Sequence, residues 1–205
     1  MTLPDYFAFI VNEVHTTILA TVDEAGCPYT AAVDMMDCDE TGLYFLTAKG
    51  KSLYTRLKQN PHVALTALAG ETTMTSRACS VRGEVTELGP ERLPHLFEKN
   101  PYMADIYPTE ASRKVLTVFK IAKGTGEWFD LSRLPIERAD FAFGMAVRHE
   151  GYRVTDACRG CEACAEICPQ GCISMDGGKA VIHAESCIHC GGCFSECVYS
   201  AIVRI

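Results

Sequence analysis

What this sequence does not contain narrows its function first. No window approaches the roughly 18 uninterrupted apolar residues of a membrane-crossing helix, so no transmembrane span is expected. Met1 to Ile10 carries neither a basic leader nor a long apolar stretch, so no secretory signal is expected either. Positive charge is scarce: 19 Lys and Arg stand against 26 Asp and Glu, a formal net charge of −7. That balance leaves out the electrostatic footprint of a nucleic-acid or anionic-membrane binder. No G-x-G-x-x-G follows a predicted strand, which excludes a Rossmann dinucleotide site. Tryptophan occurs once, as Trp128, whereas cysteine occurs twelve times in 205 residues.

Eight of those cysteines fall into two runs. Cys158, Cys161, Cys164 and Cys168, followed by Pro169, read C-x2-C-x2-C-x3-C-P, and Cys187, Cys190, Cys193 and Cys197 repeat the spacing 29 positions later. A disulfide framework would need a secretory context. Zinc knuckles would separate their cysteine pairs by a longer spacer. The spacing is that of the bacterial ferredoxin run, whose fourth cysteine ligates the other cluster. One [4Fe–4S] cluster is therefore assigned to Cys158, Cys161, Cys164 and Cys197, and the other to Cys187, Cys190, Cys193 and Cys168. The segment resembles the two-cluster bacterial ferredoxins in further detail. Residues 153–155 match the opening strand, and residues 173–175 and 179–182 match the hairpin around Asp176-Gly177-Gly178. Gly191-Gly192 sits between ligands, where a side chain would crowd a cluster. Two positions depart from the pattern: Cys172 stands where the second repeat has Ala201, and Val198 replaces the expected proline. The ligand set is complete without Cys172, which reads as a small buried residue. This chemistry points to a reducing cytoplasm.

The ferredoxin-like part takes 151–205, which leaves about 150 residues, enough for a globular core. Residues 3–14 read as an amphipathic helix with Pro4 in its first turn. Strands are expected at 17–23, 29–36, 43–47, 63–69, 75–88 (interrupted at Gly83), 115–122 and 127–131, with helices at 51–60 and 91–99. Turns are expected at 24–28 and 37–42. Many short strands and few helices suggest a small closed β-barrel over 1–131. Residues 132–150 read as a connector, although Phe141, Phe143 and Met145 are too apolar for a free linker. The fold class expected is thus mainly β plus a small α+β part.

Resemblance takes the barrel further. Residues 39–52, Asp-Glu-Thr-Gly-Leu-Tyr-Phe-Leu-Thr-Ala-Lys-Gly-Lys-Ser, leading to Gln59-Asn60-Pro61, are similar to the FMN-binding split-barrel family of pyridoxamine 5′-phosphate oxidase. Residues 18–22 with Gly26 and Pro28, and residues 79–85, fit the same pattern. The resemblance implies a homodimer with FMN in the cleft between two barrels. It implies that Ala31, Ala32, Val33 and Met36 lie along the flavin ring. Leu46, Thr47, Lys49, Lys51, Ser52 and Leu53 would hold the phosphate, where a helix N-terminus offers free N–H groups and partial positive charge. Ala78 and Cys79 align with a segment reaching the flavin from the other subunit, and Trp128 either caps the ring edge or packs in the core.

Departures bear on the activity. Family oxidases of vitamin B6 carry Arg and Lys on the ring-facing strand, where this chain has Ala31 and Met36. Their C-terminal substrate-binding Arg and His are not recognisable, so vitamin B6 oxidation is not expected. Other split-barrel relatives bind deazaflavin or haem, but His15, His62 and His95 read as surface or packed residues. Cys27, Cys38 and Cys79 show no metal spacing. Tyr29, Asp34 and Arg77 fall near the implied cleft and read as structural, so no catalytic acid or base is named.

Together the two halves suggest an FMN-dependent iron–sulfur oxidoreductase that couples an external ferredoxin or other redox protein to a small-molecule substrate. A pure electron carrier without a substrate, and a haem or ligand sensor, are the alternatives.

Overall fold

A computed structural model describes residues 1–147 and 150–205. The chain forms two compact units that interleave in sequence. The first comprises Met1–Gly70, Ala78–Trp128 and Phe141–Val147; the second comprises Glu71–Arg77, Phe129–Asp140 and the described residues of 148–205.

The first unit begins with α1 (Leu3–Ala8), where Pro4 occupies the first turn and Asp5 accepts from the Thr2 N–H at 2.7 Å and its hydroxyl at 2.8 Å. The helix expected over 3–14 is α-helical only to Ala8; Phe9–Val14 is a π-helical segment. His15 ends it with φ 61° and ψ −66°, a rare conformation for a side chain with a Cβ.

The strands follow as β1 (Thr16–Val22), β2 (Pro28–Asp34), β3 (Asp37–Asp39), β4 (Gly42–Ala48), β5 (His62–Ala69), β6 (Arg77–Gly89), β7 (Leu116–Asp130) and β8 (Glu137–Phe143). Helix α2 (Ser52–Gln59) lies between β4 and β5, and α3 (Leu93–Lys99), α4 (Met103–Ile106) and α5 (Glu110–Arg113) lie between β6 and β7. The sheet order is β2-β1-β5-β6-β7-β4-β3, with β8 on β7.

Four sequence expectations change. The two strands at 115–122 and 127–131 are one continuous β7, and the expected connector holds β8. The break expected at Gly83 is absent because that glycine permits a close approach. A Cβ there would lie 2.4 Å from the Lys123 carbonyl oxygen, and one at Gly124 would lie 2.5 Å from the Arg82 carbonyl oxygen. The turn at 37–42 contains the short β3.

Burial alternates along β1: Thr17, Leu19 and Thr21 point inward, and Ile18 is 53% exposed. Strand β4 is buried along most of its length, as its apolar run Leu43 to Leu46 anticipates. Phe45 stacks on Phe119 at 5.6 Å. A second cluster packs α3 and α4 against Met36, Tyr44, Leu116 and Val118 through Leu93, Leu96, Phe97 and Met103. An aromatic cluster fixes α1: Tyr6 stacks on Phe141 at 4.4 Å, Phe7 meets Phe143 edge-on at 5.0 Å, and Phe9 meets Trp128 at 4.9 Å.

The second unit carries β9 (Tyr152–Val154), α6 (Ala163–Glu166), β10 (Ile173–Asp176), β11 (Lys179–Ile182), α7 (Gly192–Glu196) and β12 (Ile202–Arg204). The opening strand of each repeat pairs with the closing strand of the other: β9 with β12 and β11 with β10. The 29-residue period extends to the backbone. Left-handed residues occur at Gly160 and His189, at Glu162 and Gly191, and at Gly171 and Ser200. Among the described residues, no helix is long and apolar enough to cross a membrane.

Candidate functional site

Two cavities lie within the second unit, and the cysteines sort between them. The first is bordered by Cys158, Cys161, Cys164 and Cys197, with Met175, Ala180, Tyr199 and Ile202 among its apolar walls. It encloses about 360 Å³ of space, part of it open to solvent. The second is bordered by Cys168, Cys187, Cys190 and Cys193, with Tyr152, Ile173, Ile182 and Ile188, and encloses about 330 Å³. Each cavity therefore draws three cysteines from one repeat and the fourth from the other. The left-handed residue before each short helix, Glu162 or Gly191, turns the chain so that the helix begins between the second and third cysteines.

Backbone N–H groups point at the sulfurs. Ala180 donates to Cys158 Sγ at 3.4 Å, and Ala201 donates to Cys197 Sγ at 3.3 Å. The Ala180 and Gly160 N–H groups hold the Cys158 thiol pKa below its ordinary value. Among the described residues, no three His, Cys, Asp or Glu groups converge as the ligands of a lone metal ion would. Thiolates that each bind a different iron of a cluster are spread more widely around it. Cys172 is buried, and its sulfur lies 3.4 Å from that of Cys168. Val198, in the place of the expected proline, is 80% exposed.

In the first unit, the residues aligned with a flavin site fall into four groups. Thr47 ends the buried stretch of β4, and its hydroxyl is buried with no hydrogen-bond partner among the described residues. Lys49, Lys51 and Ser52 are exposed where β4 hands over to α2, Leu46 is half-buried, and Leu53 faces the core. Lys51 is the extended residue before α2, so the first N–H groups of that helix remain available to an anion. On β2, Ala32 is exposed, Ala31 is half-buried and Val33 is buried; Met36 lies in the core against Tyr44 and α3. Ala78 is half-buried, whereas Cys79 is fully buried and burial pushes its thiol up to about 12. Trp128 is 2% exposed between Tyr6 and Phe9, and its indole N–H also has no partner among the described residues.

The outer face of β1, β2 and β5 is apolar and open. Ile18 lies opposite Ala32 and Thr66 in the ladders, and Leu68, two residues on, is 60% exposed. At its rim is a polar network that sequence reasoning missed. Tyr102 donates to Asp34 at 2.7 Å, Thr16 donates to Asp34 at 2.6 Å, and the His15 ring lies 2.8 Å from the Tyr102 hydroxyl. Burial works to raise the Asp34 pKa, but the Thr16 and Tyr102 hydrogen bonds and His15 outweigh it, and the net shift is downward. No sequence signal joins residues 15, 34 and 102. The Arg56 guanidinium lies 4.8 Å over the Tyr29 ring and donates to Thr21 at 2.8 Å, which ties α2 to β1 and β2. His95 and Lys99 both pair with Asp37, so His95 fastens α3 to β3.

Comparison with known proteins agrees with this division. Residues 3–127 match the family described as pyridoxamine 5′-phosphate oxidase, and residues 157–201 match the 4Fe-4S dicluster domain. The chain is 27% identical over 144 residues to a pyridoxine/pyridoxamine 5′-phosphate oxidase of Mycobacterium sp. (strain JLS), covering 65% of this chain and 66% of that protein. It is 45% identical over 47 residues to the electron transport protein HydN of Escherichia coli K12, covering 22% of this chain and 27% of that relative. The chain thus spans about a quarter of the length of HydN. Among solved structures, a NimC/NimA family protein from Clostridium acetobutylicum superposes with a TM-score of 0.55 at 20% identity, covering 67% of this chain and 94% of that one. That likeness establishes the fold. Domains of oxidoreductase type in both halves support a redox role. The chain belongs to the pyridoxamine 5′-phosphate oxidase family, with a split-barrel first unit and a 4Fe-4S dicluster domain behind it.

Proposed function

We propose that this protein is an FMN-dependent iron–sulfur oxidoreductase that passes electrons between two [4Fe–4S] clusters and FMN to reduce or oxidise a small molecule. The observation that carries the reading is the sorting of eight cysteines around two cavities in a chain whose other half has a flavin-type fold. Cys158, Cys161, Cys164 and Cys197 hold one cluster; Cys187, Cys190, Cys193 and Cys168 hold the other. A bound flavin exchanges two electrons as hydride or one at a time, and a cubane exchanges one, so the pair interconverts the two currencies.

The fit of FMN to this chain rests on Thr47. Its buried, unpartnered hydroxyl lies just ahead of Lys49, Lys51 and the open end of α2, which together suit a phosphate. Lys49 and Lys51 neutralise its charge; Ser52 and Leu53 contribute backbone N–H groups. Ala32 and the small residues beside it leave room for a flat ring. The apolar face of Ile18 and Leu68 is covered by a second copy of the chain, which completes the cleft and brings in Ala78. Trp128, enclosed by Tyr6 and Phe9, serves the core. An external ferredoxin or similar carrier in a reducing cytoplasm supplies or collects electrons.

The decisive test is cofactor content after anaerobic purification, followed by rapid mixing of photoreduced protein. FMN near one per chain, iron near eight per chain, and reduction of flavin by the clusters are expected. Clusters that stay reduced beside an oxidised flavin would overturn the reading.

A second reading is an electron carrier without its own substrate, favoured by the match to HydN, which is described as an electron transport protein. Fast exchange with a partner protein, and no turnover with any small acceptor, would select it.

A further inference from the structure

The two cysteine repeats differ at a buried position that lies against a ligand. Cys172 and Ala201 are counterparts across the 29-residue period. Both are buried, with 6% and 1% of their surface exposed. Ala201 donates its backbone N–H to Cys197 Sγ at 3.3 Å. Its counterpart in the first repeat carries a thiol, whose sulfur lies 3.4 Å from Cys168 Sγ. The Cys172 carbonyl accepts from the His183 N–H at 2.8 Å, which fixes the residue in place.

We infer that the Cys172 thiol donates a hydrogen bond to Cys168 and holds the cluster of the second cavity at a more positive reduction potential than alanine there would. The inference rests on the ligand assignment proposed above. An iron-bound Cys168 carries no proton, so in this pair only Cys172 has one to give. A donor aimed at a ligand sulfur stabilises the added negative charge of the reduced cluster more than it stabilises the oxidised one. Hydrogen bonds to sulfur are among the factors that set cluster potentials. The Arg138 guanidinium, 3.3 Å from the His189 ring, is matched by a bidentate pair to Asp140 at 2.8 and 3.0 Å, so its charge is largely cancelled locally. Cys172 is therefore a positioning and tuning residue, one more sulfur than the ligand set requires.

The test is a potentiometric titration followed by EPR on the anaerobic full-length protein, with iron and sulfide counted for each variant. Cys172→Ala should keep about eight irons per chain and move one of the two reduction steps to more negative potential, leaving the other in place. Cys172→Ser, which restores a donor, should stay close to the parent. Ala201→Cys should move the other step in the positive direction. Unmoved steps in Cys172→Ala, with all iron retained, would overturn the inference. Loss of about half the iron in that variant would overturn it as well, since Cys172 would then be a ligand. Parent protein without iron would sink the cluster assignment itself, and this inference with it.

Discussion

Thr47 and Thr117 face each other across the β4–β7 ladder, both buried, yet only Thr117 has a partner: its hydroxyl donates to Glu87 at 2.8 Å. The Thr47 hydroxyl has none among the described residues. A buried unpartnered hydroxyl costs about 1–3 kcal/mol, and a ligand oxygen would relieve it. Thr47→Val should therefore weaken FMN binding by roughly tenfold while leaving the flavin-free protein as stable as before, or slightly more so. Flavin fluorescence titration and thermal melting of the same samples check both halves. Tighter binding in the variant would remove Thr47 from the phosphate site.

The open face of β1 and β5 makes a prediction about assembly. Leu68→Glu places a charge on a 60% exposed apolar position, where it costs the separate chain little. In a dimer it buries an unpaired carboxylate, a change of several kcal/mol. Analytical ultracentrifugation should show a dimer for the parent and a monomer for Leu68→Glu, with flavin lost alongside. A variant that sediments like the parent would place the interface elsewhere.

Asp39 gives the barrel a pH signature. Burial works to raise its pKa, but hydrogen bonds from Thr41 and Tyr44 and the charge of Lys120 prevail and hold it well below the usual carboxylate range. A depressed folded pKa stabilises the fold above the unfolded value near 3.9, and that contribution is lost as pH falls through the lower folded value. Tyr44→Phe removes one donor and keeps the ring between Arg92 at 4.0 Å and Lys120 at 4.9 Å. It should cost about 1 kcal/mol at pH 7, reduced by the partial exposure of Asp39, and progressively less below about pH 4. Urea unfolding at several pH values measures this. An equal cost at pH 7 and pH 2.5 would contradict the linkage.

Iron removal should separate the two units in stability. The buried cluster of the second unit comprises Cys164, Cys172, Ile173, Ala180, Cys187, Cys193 and Ile202, so four of seven members are cysteines. Little apolar surface remains without the clusters, and metal binding then supplies much of the folding energy. Anaerobic chelation should abolish hydrogen-exchange protection in β9–β12 and leave β1, β4 and β7 protected. Protection that survives in both units would mean that the cysteine unit folds on its own core.

How much of this was legible in the sequence depended on what each signal measures. The cysteine period is written in residue identity, and the cavities sort the same eight residues by fours. The barrel strands were visible because Ile18 to Val22 and Leu43 to Thr47 carry strong β patterns. The sequence reading places strands at 115–122 and 127–131, and Gly124 and Gly126 lie in the gap between them. In three dimensions the place of a side chain at Gly126 is taken by the Phe141 ring, which lies 2.1 Å from where a Cβ would be. The helix at 3–14 was read as one element because periodicity does not distinguish α from π hydrogen bonding. The network of His15, Asp34 and Tyr102 joins residues 87 and 68 positions apart, beyond the reach of any local pattern.

The sharing of cysteines between repeats also has a consequence for synthesis. A ribosome that has just completed Cys168 has supplied three walls of the first cavity and one of the second. The second cavity gains its last cysteine at Cys193 and the first at Cys197. Neither can be filled one repeat at a time, and both become competent within four residues of each other. With the proposed ligands, cluster delivery therefore waits for both repeats, and a product broken off between them would be unable to retain either cubane.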